Sequence, residues 1–128
     1  MILDSSAIIA MVLREPGWEE IATRLAAAPM PAVAAPTLTE TAAVLHGKLG
    51  RSAAPTLLRF LQEAGVTIIP FGEEHWRAAV DAFERFGKGR HRARLNFGDC
   101  LTYAIAKLAG QPLLCVGDDF RHTDLPLA

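Results

Sequence analysis

The chain has 128 residues, 51% of them hydrophobic and 21% charged, so a single domain spanning 1–128 with a full apolar core is expected and a disordered chain is excluded. Its formal net charge of −1 excludes a globally basic nucleic-acid binder, and any phosphate contact must come from a local patch. No stretch reaches the ~18 uninterrupted apolar residues of a membrane span, the opening residues lack the basic region of a signal peptide, and two cysteines outside any CxxC spacing read as reduced thiols; the cytoplasm is the expected compartment.

"MILD" opens as a short apolar strand, after which Ser5 and Ser6 offer N-caps to a helix over 7–13. Pro16 and Gly17 break that helix, and a second over 18–28 brings Ile21 and Leu25 onto one face. "PAVAAP" is a brief buried strand with Pro31 and Pro36 marking its ends. A helix from Thr37 runs to Gly50, and another covers 55–64 before Gly65. "VTIIPF" is β-branched and apolar, the clearest strand of the chain. Helix follows over 73–86, then a nearly all-apolar helix over 100–109, then "QPLLCVGDDF" as a last strand trailed by acids. Short apolar strands separated by helices predict a three-layer α/β domain, with a mostly parallel central sheet flanked by helices on both faces.

That architecture gives the acids a meaning, because open α/β sheets bind ligands at the carboxyl ends of their strands. Asp4 falls at the end of the first strand, Asp118 and Asp119 at the end of the last. Glu40 lies in the first turn of the helix after the second strand, and Asp99 heads the helix before the last. Each acid also has a purely structural role open to it. Asp99 reads as a helix cap worth ~1 kcal/mol. Thr37 to Glu40 reads as a capping box, S/T-x-x-E. The aspartates of "GDDF" read as an Asx-turn, and Asp4 as a hydrogen-bond hub for Ser5 and Ser6. Singly, those roles suffice. They do not explain one acid at each corner of the same sheet edge.

Like charges so gathered repel, by about 4 kcal/mol for a pair at roughly 4 Å and an effective dielectric near 20. A divalent cation neutralises them, and oxygen-only ligands suit Mg²⁺ or Mn²⁺ rather than zinc. Such a centre activates water for attack on phosphorus. No Walker loop, GxGxxG, HExxH or nucleophile elbow competes. Upstream of Asp99, "GKGRHRARLNFGD" concentrates Lys88, Arg90, Arg92 and Arg94 with His91, a solvated loop or a phosphate-backbone contact. His46, His75 and His122 are expected on the surface. Trp76, Phe83 and Phe86, at helical spacing, are expected in core or a dimer interface rather than as base-stacking platforms.

The segments "MILDSSAIIAMVL", "TETAAVL", "GRHRARLNFGDCLTYAIAK" and "LLCVGDDFRHTD" together resemble the PIN-domain ribonucleases of the VapC toxin family over essentially the whole chain. The resemblance implies a PIN-like domain and Mg²⁺-dependent cleavage of single-stranded RNA, with Mn²⁺ as substitute. It also implies a homodimer and a cognate VapB-type antitoxin as inhibitor. It places the catalytic quartet at Asp4, Glu40, Asp99 and Asp118, with Ser6 at the small hydroxyl position. Asp4 and Asp99 become the metal ligands, while Glu40 and Asp118 position the attacking water. Relatives often read Gly-Asn-Asp-Phe where this chain has Gly117-Asp118-Asp119-Phe120; Asp118 is preferred over Asp119 as the acid facing the metal. A haloacid-dehalogenase-like phosphatase fits poorly, since Ser5-Ser6 follows Asp4 where that class needs Asp-x-Asp. A non-catalytic PIN scaffold that only binds RNA or a partner is the remaining alternative.

Overall fold

The computed structural model describes residues 1–128. Four very short strands, β1 (Ile2–Leu3), β2 (Ala32–Ala34), β3 (Thr67–Ile69) and β4 (Leu113–Leu114), form one sheet in the order β3-β2-β1-β4. All neighbours are parallel, with Leu3 beside Val33 on one side and Leu114 on the other. Around them lie α1 (Ser5–Val12), α2 (Trp18–Ala26), α3 (Ala35–Leu49), α4 (Ala53–Ala64), α5 (Glu73–Phe86) and α6 (Phe97–Ala109). Short 3₁₀ turns precede α4 and follow β4.

Strand alternation divides the core. Ile2, Ala32, Ala34 and Leu113 face α5 and α6, packing on Phe86, Tyr103 and Ile105. Leu3, Val33 and Leu114 face the other way, onto Ile8 and Met11 of α1, Leu45 of α3 and Leu57 and Leu61 of α4. The three-layer α/β arrangement expected from the sequence is the one found. Only β3 departs from it, because as an edge strand it leaves Thr67 and Ile68 exposed and buries little beyond Ile69. No helix is long and apolar enough to cross a membrane.

Prolines account for two shifted boundaries. Pro36 and Pro55 end no strand and begin no helix: they sit inside the first turns of α3 and α4, which start at Ala35 and Ala53. The first helical N–H groups have no intrahelical acceptor, so proline loses nothing there. The first helix likewise begins earlier than expected, at Ser5 rather than Ala7, since Asp4 is the N-cap and accepts from the Ser6 N–H. Glu73–Phe86 has the span its pattern predicts, with Glu73 and Glu74 in the first turn and Arg85 in the last complementing the helix dipole.

Candidate active site

The parallel sheet sends β1 directly into α1, and Asp4 occupies the joint. It is 4% exposed, in the centre of the sheet edge. Both its hydrogen bonds fall on Oδ2, from the Ser6 N–H at 3.0 Å and from the Ser6 hydroxyl. Ser6 Oγ in turn accepts from the Val116 N–H at 3.0 Å, which ties the loop after β4 to the first acid. The expectation that Ser6 stands beside Asp4 is met by direct contact.

Glu40 departs from its sequence reading. The Thr37 to Glu40 capping box does not form: α3 starts earlier, at Ala35, with no side-chain cap. Thr37 is buried and shares a hydrogen bond of 3.0 Å with Thr102 of α6, joining the two helices. Glu40, released from capping, points to the sheet edge, where the Ser5 hydroxyl donates to its Oε1. Its Oε2 lies against Gly98, close enough that a Cβ there would collide with it. Ser5, expected to cap α1 or bond Asp4, instead serves Glu40, and Gly98 carries no expectation from the sequence. The signal available was two serines directly after a strand-end acid, and a glycine directly before Asp99.

Asp99 is not the cap either. Asn96 is the N-cap of α6, its Oδ1 accepting from the Asp99 N–H at 2.8 Å, while Asp99 Oδ2 accepts from the Asn96 N–H at 3.0 Å. This is a reciprocal capping box with the acid at its third helical position. It would normally hold a carboxylate ionised, yet the Asp99 carboxyl is pushed up to about 6. Burial is the main cause, the Asn96 N–H opposes it, and the negative charges of Asp4, Asp119 and Glu40 raise it further. Every charge acting on Asp99 is negative. The Cys115 thiol, between the same acids, is raised to about 11 by burial and then by Asp4, Asp119 and Asp99.

The two aspartates after β4 separate. Asp118 is mostly exposed and lies 3.4 Å from the Arg121 guanidinium. Asp119, one residue on, is the one whose charge is felt at Asp99 and Cys115. The 3₁₀ turn at Asp119–His122 begins between the two acids, with Asp118 as its N-cap.

As they stand, no three His, Cys, Asp or Glu side chains close to ion-holding geometry, since each acid is drawn onto its own local donor. The donor set nonetheless fits a hard divalent cation. It is made of carboxylate oxygens only, and Asp4, Glu40 and Asp99 each engage one oxygen and leave the other without a hydrogen bond. Beyond Asn96, the basic segment forms a hairpin-like loop closed by the Lys88 N–H on the Leu95 carbonyl at 2.9 Å. Lys88, Arg90, Arg92 and Arg94 are all exposed and together line a depression of about 530 Å³. They lie apart from the acids and make no ion pair with them. Cys100 and Cys115 are free thiols, and His46 is exposed, as expected.

Comparison with known proteins agrees with this fold. The PIN domain family model matches residues 1–125. The chain is 48% identical to "Ribonuclease VapC36" of Mycobacterium tuberculosis over 126 residues, covering 98% of this chain and 91% of that protein. It is 39% identical to "Ribonuclease VapC" of Mycolicibacterium smegmatis over 125 residues, covering 98% and 97%. Among solved structures, M. tuberculosis VapC20, described as a Sarcin-Ricin loop cleaving toxin, superposes with a TM-score of 0.79 at 18% identity, covering 99% of this chain and 97% of that one. VapBC2 from Rickettsia felis, bound to a DNA fragment from their promoter, superposes with a TM-score of 0.78 at 16% identity over 99% and 96%. Matched by the PIN model over residues 1–125 and 48% identical to a VapC ribonuclease across 98% of its own length, the chain belongs to the VapC family of PIN-domain proteins.

Proposed function

We propose that this chain is the toxin half of a toxin–antitoxin pair, and that it cuts RNA by metal-dependent hydrolysis at the sheet edge formed by Asp4, Glu40, Asp99 and Asp119. One observation carries the reading. Asp99 is held among three other carboxylates, without a compensating cation, at the cost of a carboxyl pushed up to about 6. A fold keeps such self-repulsion where the cluster serves a bound cation.

Asp4 and Asp99 would hold the ion through the oxygens that their local hydrogen bonds leave free. When bound, Mg²⁺ or Mn²⁺ supplies an activated water and charge for the oxygen that departs from phosphorus. The chain's own residues do the rest. Glu40 and Asp119 orient the attacking water and accept its proton. Ser5 and the bare Cα of Gly98 fix where the Glu40 carboxylate can lie. Ser6 keeps Asp4 turned inward and couples it to the loop that carries Asp119. Asp118 stays on the rim with Arg121. Lys88, Arg90, Arg92 and Arg94 bind backbone phosphates flanking the scissile bond. The partner is a VapB-type antitoxin, which silences the site by presenting an Arg or Lys to the acids in place of the metal. Solved neighbours described as a toxin-antitoxin complex from Klebsiella pneumoniae and as VapBC2 from R. felis support that partner class.

Purified protein with labelled single-stranded RNA tests this. In Mg²⁺ or Mn²⁺ it should release fragments with 5′-phosphate and 3′-hydroxyl ends, because water and not the ribose 2′-OH attacks. Cyclic-phosphate ends, or undiminished cleavage in EDTA, overturn the metal mechanism.

A further inference from the structure

Only five polar side chains are buried in this protein, and three of them are threonines of α3 and α6. Thr37 is 3% exposed and Thr102 1%, and their hydroxyls share a hydrogen bond of 3.0 Å from one helix to the other. The third, Thr41, donates to the Thr37 carbonyl at 2.7 Å and so stays within α3. A pair of valines, branched in the same way, would fill the space between the helices as well. What the hydroxyls add is direction. Their bond forms at one relative position of α3 and α6, and any other leaves two buried polar groups unpaired.

The place of this bond along the helices gives it a consequence. Glu40 lies three residues after Thr37 on α3, and Asp99 three residues before Thr102 on α6. Side chains three apart share a helix face, so each acid stands about one turn from a hydroxyl of the pair. The same joint carries a second close approach, where Glu40 Oε2 lies against the bare Cα of Gly98. Neither threonine bonds an acid. Ser5 ties Glu40 to α1, and the Asn96 N–H aims Asp99 within α6. Those local donors leave the position of α3 against α6 unset, and the threonine pair sets it.

We propose that Thr37 and Thr102 are positioning residues for the acid cluster, a buried strut that fixes the distance between Glu40 and Asp99. The inference rests on the nuclease reading above and adds the residues that hold its geometry. The strut acts through the acids and touches neither metal nor RNA. Without it the two helices can slide while the fold persists, and Glu40, which orients the water, moves relative to Asp99, which holds the ion. A misplacement of about 1 Å at such a site costs on the order of a hundredfold in rate.

The test compares Thr37→Val and Thr102→Val, singly and together, with the double Thr37→Ser, Thr102→Ser variant as the conservative control. Each single valine strands one buried hydroxyl and should lower the melting temperature. The double valine variant removes both hydroxyls and keeps their shape, so it should melt near the wild type or above it. That stable variant should nonetheless bind Mn²⁺ about tenfold more weakly in calorimetric titration without RNA. At saturating Mn²⁺ its kcat on labelled RNA should fall about ten- to a hundredfold, with KM nearly unchanged. The double serine variant keeps the bond and should retain Mn²⁺ affinity and kcat, at a lower melting temperature for its lost methyl groups. Thr41→Val removes a buried hydroxyl outside the strut and should cost stability alone. If both valines together prevent folding, Thr37→Val assayed below its melting range carries the same comparison against Thr41→Val. Wild-type Mn²⁺ affinity and kcat in the double valine variant overturn the strut. So do equal losses in Thr41→Val and Thr37→Val, since the effect is then one of stability. Mn²⁺ binding that depends on the threonine pair, in a protein that cuts no RNA, upholds the strut and sinks the nuclease reading alone.

Discussion

Asp99 and Asp124 both lie against α6, one in its first turn and the other beside Tyr103 and Lys107, and the protein treats them in opposite ways. Asp124 accepts from the Tyr103 hydroxyl at 2.8 Å and from Lys107 Nζ at 2.7 Å, with the Arg85 guanidinium 3.5 Å away. Although burial alone would raise it, these partners hold its carboxyl below the usual range. Asp99 has one backbone donor, three acidic neighbours and a carboxyl raised to about 6. The first arrangement is what folding selects by itself: a carboxylate enters partial burial only with its cations. The second lowers the stability of the metal-free chain. The contrast sets an acid paired with cations beside α6 against one left among like charges in its first turn, the arrangement on which the proposed site rests.

The largest effect expected from breaking this contrast is on activity. Asp99→Asn keeps the capping geometry, because Asn accepts the same backbone N–H, but removes the charge proposed to hold the metal. Cleavage in Mg²⁺ should fall by orders of magnitude, while the melting temperature in EDTA should rise, as repulsion with Asp4, Asp119 and Glu40 is relieved. Mg²⁺ should then stabilise the wild type and leave the variant nearly unchanged. A variant that cuts at the wild-type rate, or that melts lower in EDTA, would make Asp99 a structural acid like Asp124.

The reciprocal change sharpens the same contrast on the stability axis. Asp124→Asn removes the charge facing Lys107 and Arg85 and weakens the acceptor of the Tyr103 hydroxyl, on a residue only 1% exposed. With Asp124 itself partly in solvent, the loss should be about 1–2 kcal/mol in chemical denaturation. The cleavage rate below the melting range should be unaffected. A large activity loss without destabilisation would mean that the Asp124 cluster reaches the site.

Much of this was legible before any coordinates. Continuous apolar and β-branched runs placed the strands, and apolar helical spacing with caps and Gly or Pro breaks placed the helices, because a parallel sheet is buried on both faces. Parallel topology placed Asp4, Glu40 and Asp99 toward the carboxyl ends of the strands, and the family resemblance grouped them. What stayed hidden depended on where a single side chain turns. Thr37 to Glu40 satisfies the capping pattern, yet Thr37 bonds Thr102, 65 residues away, and Glu40 bonds Ser5. Asp118 and Asp119 straddle the start of a 3₁₀ turn, which no periodicity encodes. Trp76 and Phe83 share the helical spacing of buried Phe86, so the pattern could not tell a core position from one exposed on the single chain. What packs on α5 decides between them, and that information is not local.

The finest distinction between the two acids is their response to pH. For Asp99 the folded carboxyl titrates near 6 against an ordinary 3.8, so between those values the folded state holds a proton that the unfolded state does not. Stability of the metal-free protein should therefore increase as pH falls through that window, since stability moves with the difference in bound protons. The gain should be ~1–2 kcal/mol once solvent screening of a half-buried carboxyl is allowed for. For Asp124 the sign is reversed. Its folded value is lowered, so its support is intact above its ordinary pKa and is lost only as pH falls further, through the folded value. The metal-free wild type should thus be most stable at mildly acid pH, between the two windows. Subtracting the profile of Asp99→Asn isolates the first limb, and subtracting that of Asp124→Asn isolates the second. With Mg²⁺ present the first limb should invert, because below pH about 6 protons compete with the ion for Asp99. Thermal melts of the three proteins across that range, in EDTA and in millimolar Mg²⁺, measure both limbs. A difference curve for Asp99→Asn that is flat between pH 4 and 7 would mean that its carboxyl titrates normally and is no partner in the acid cluster.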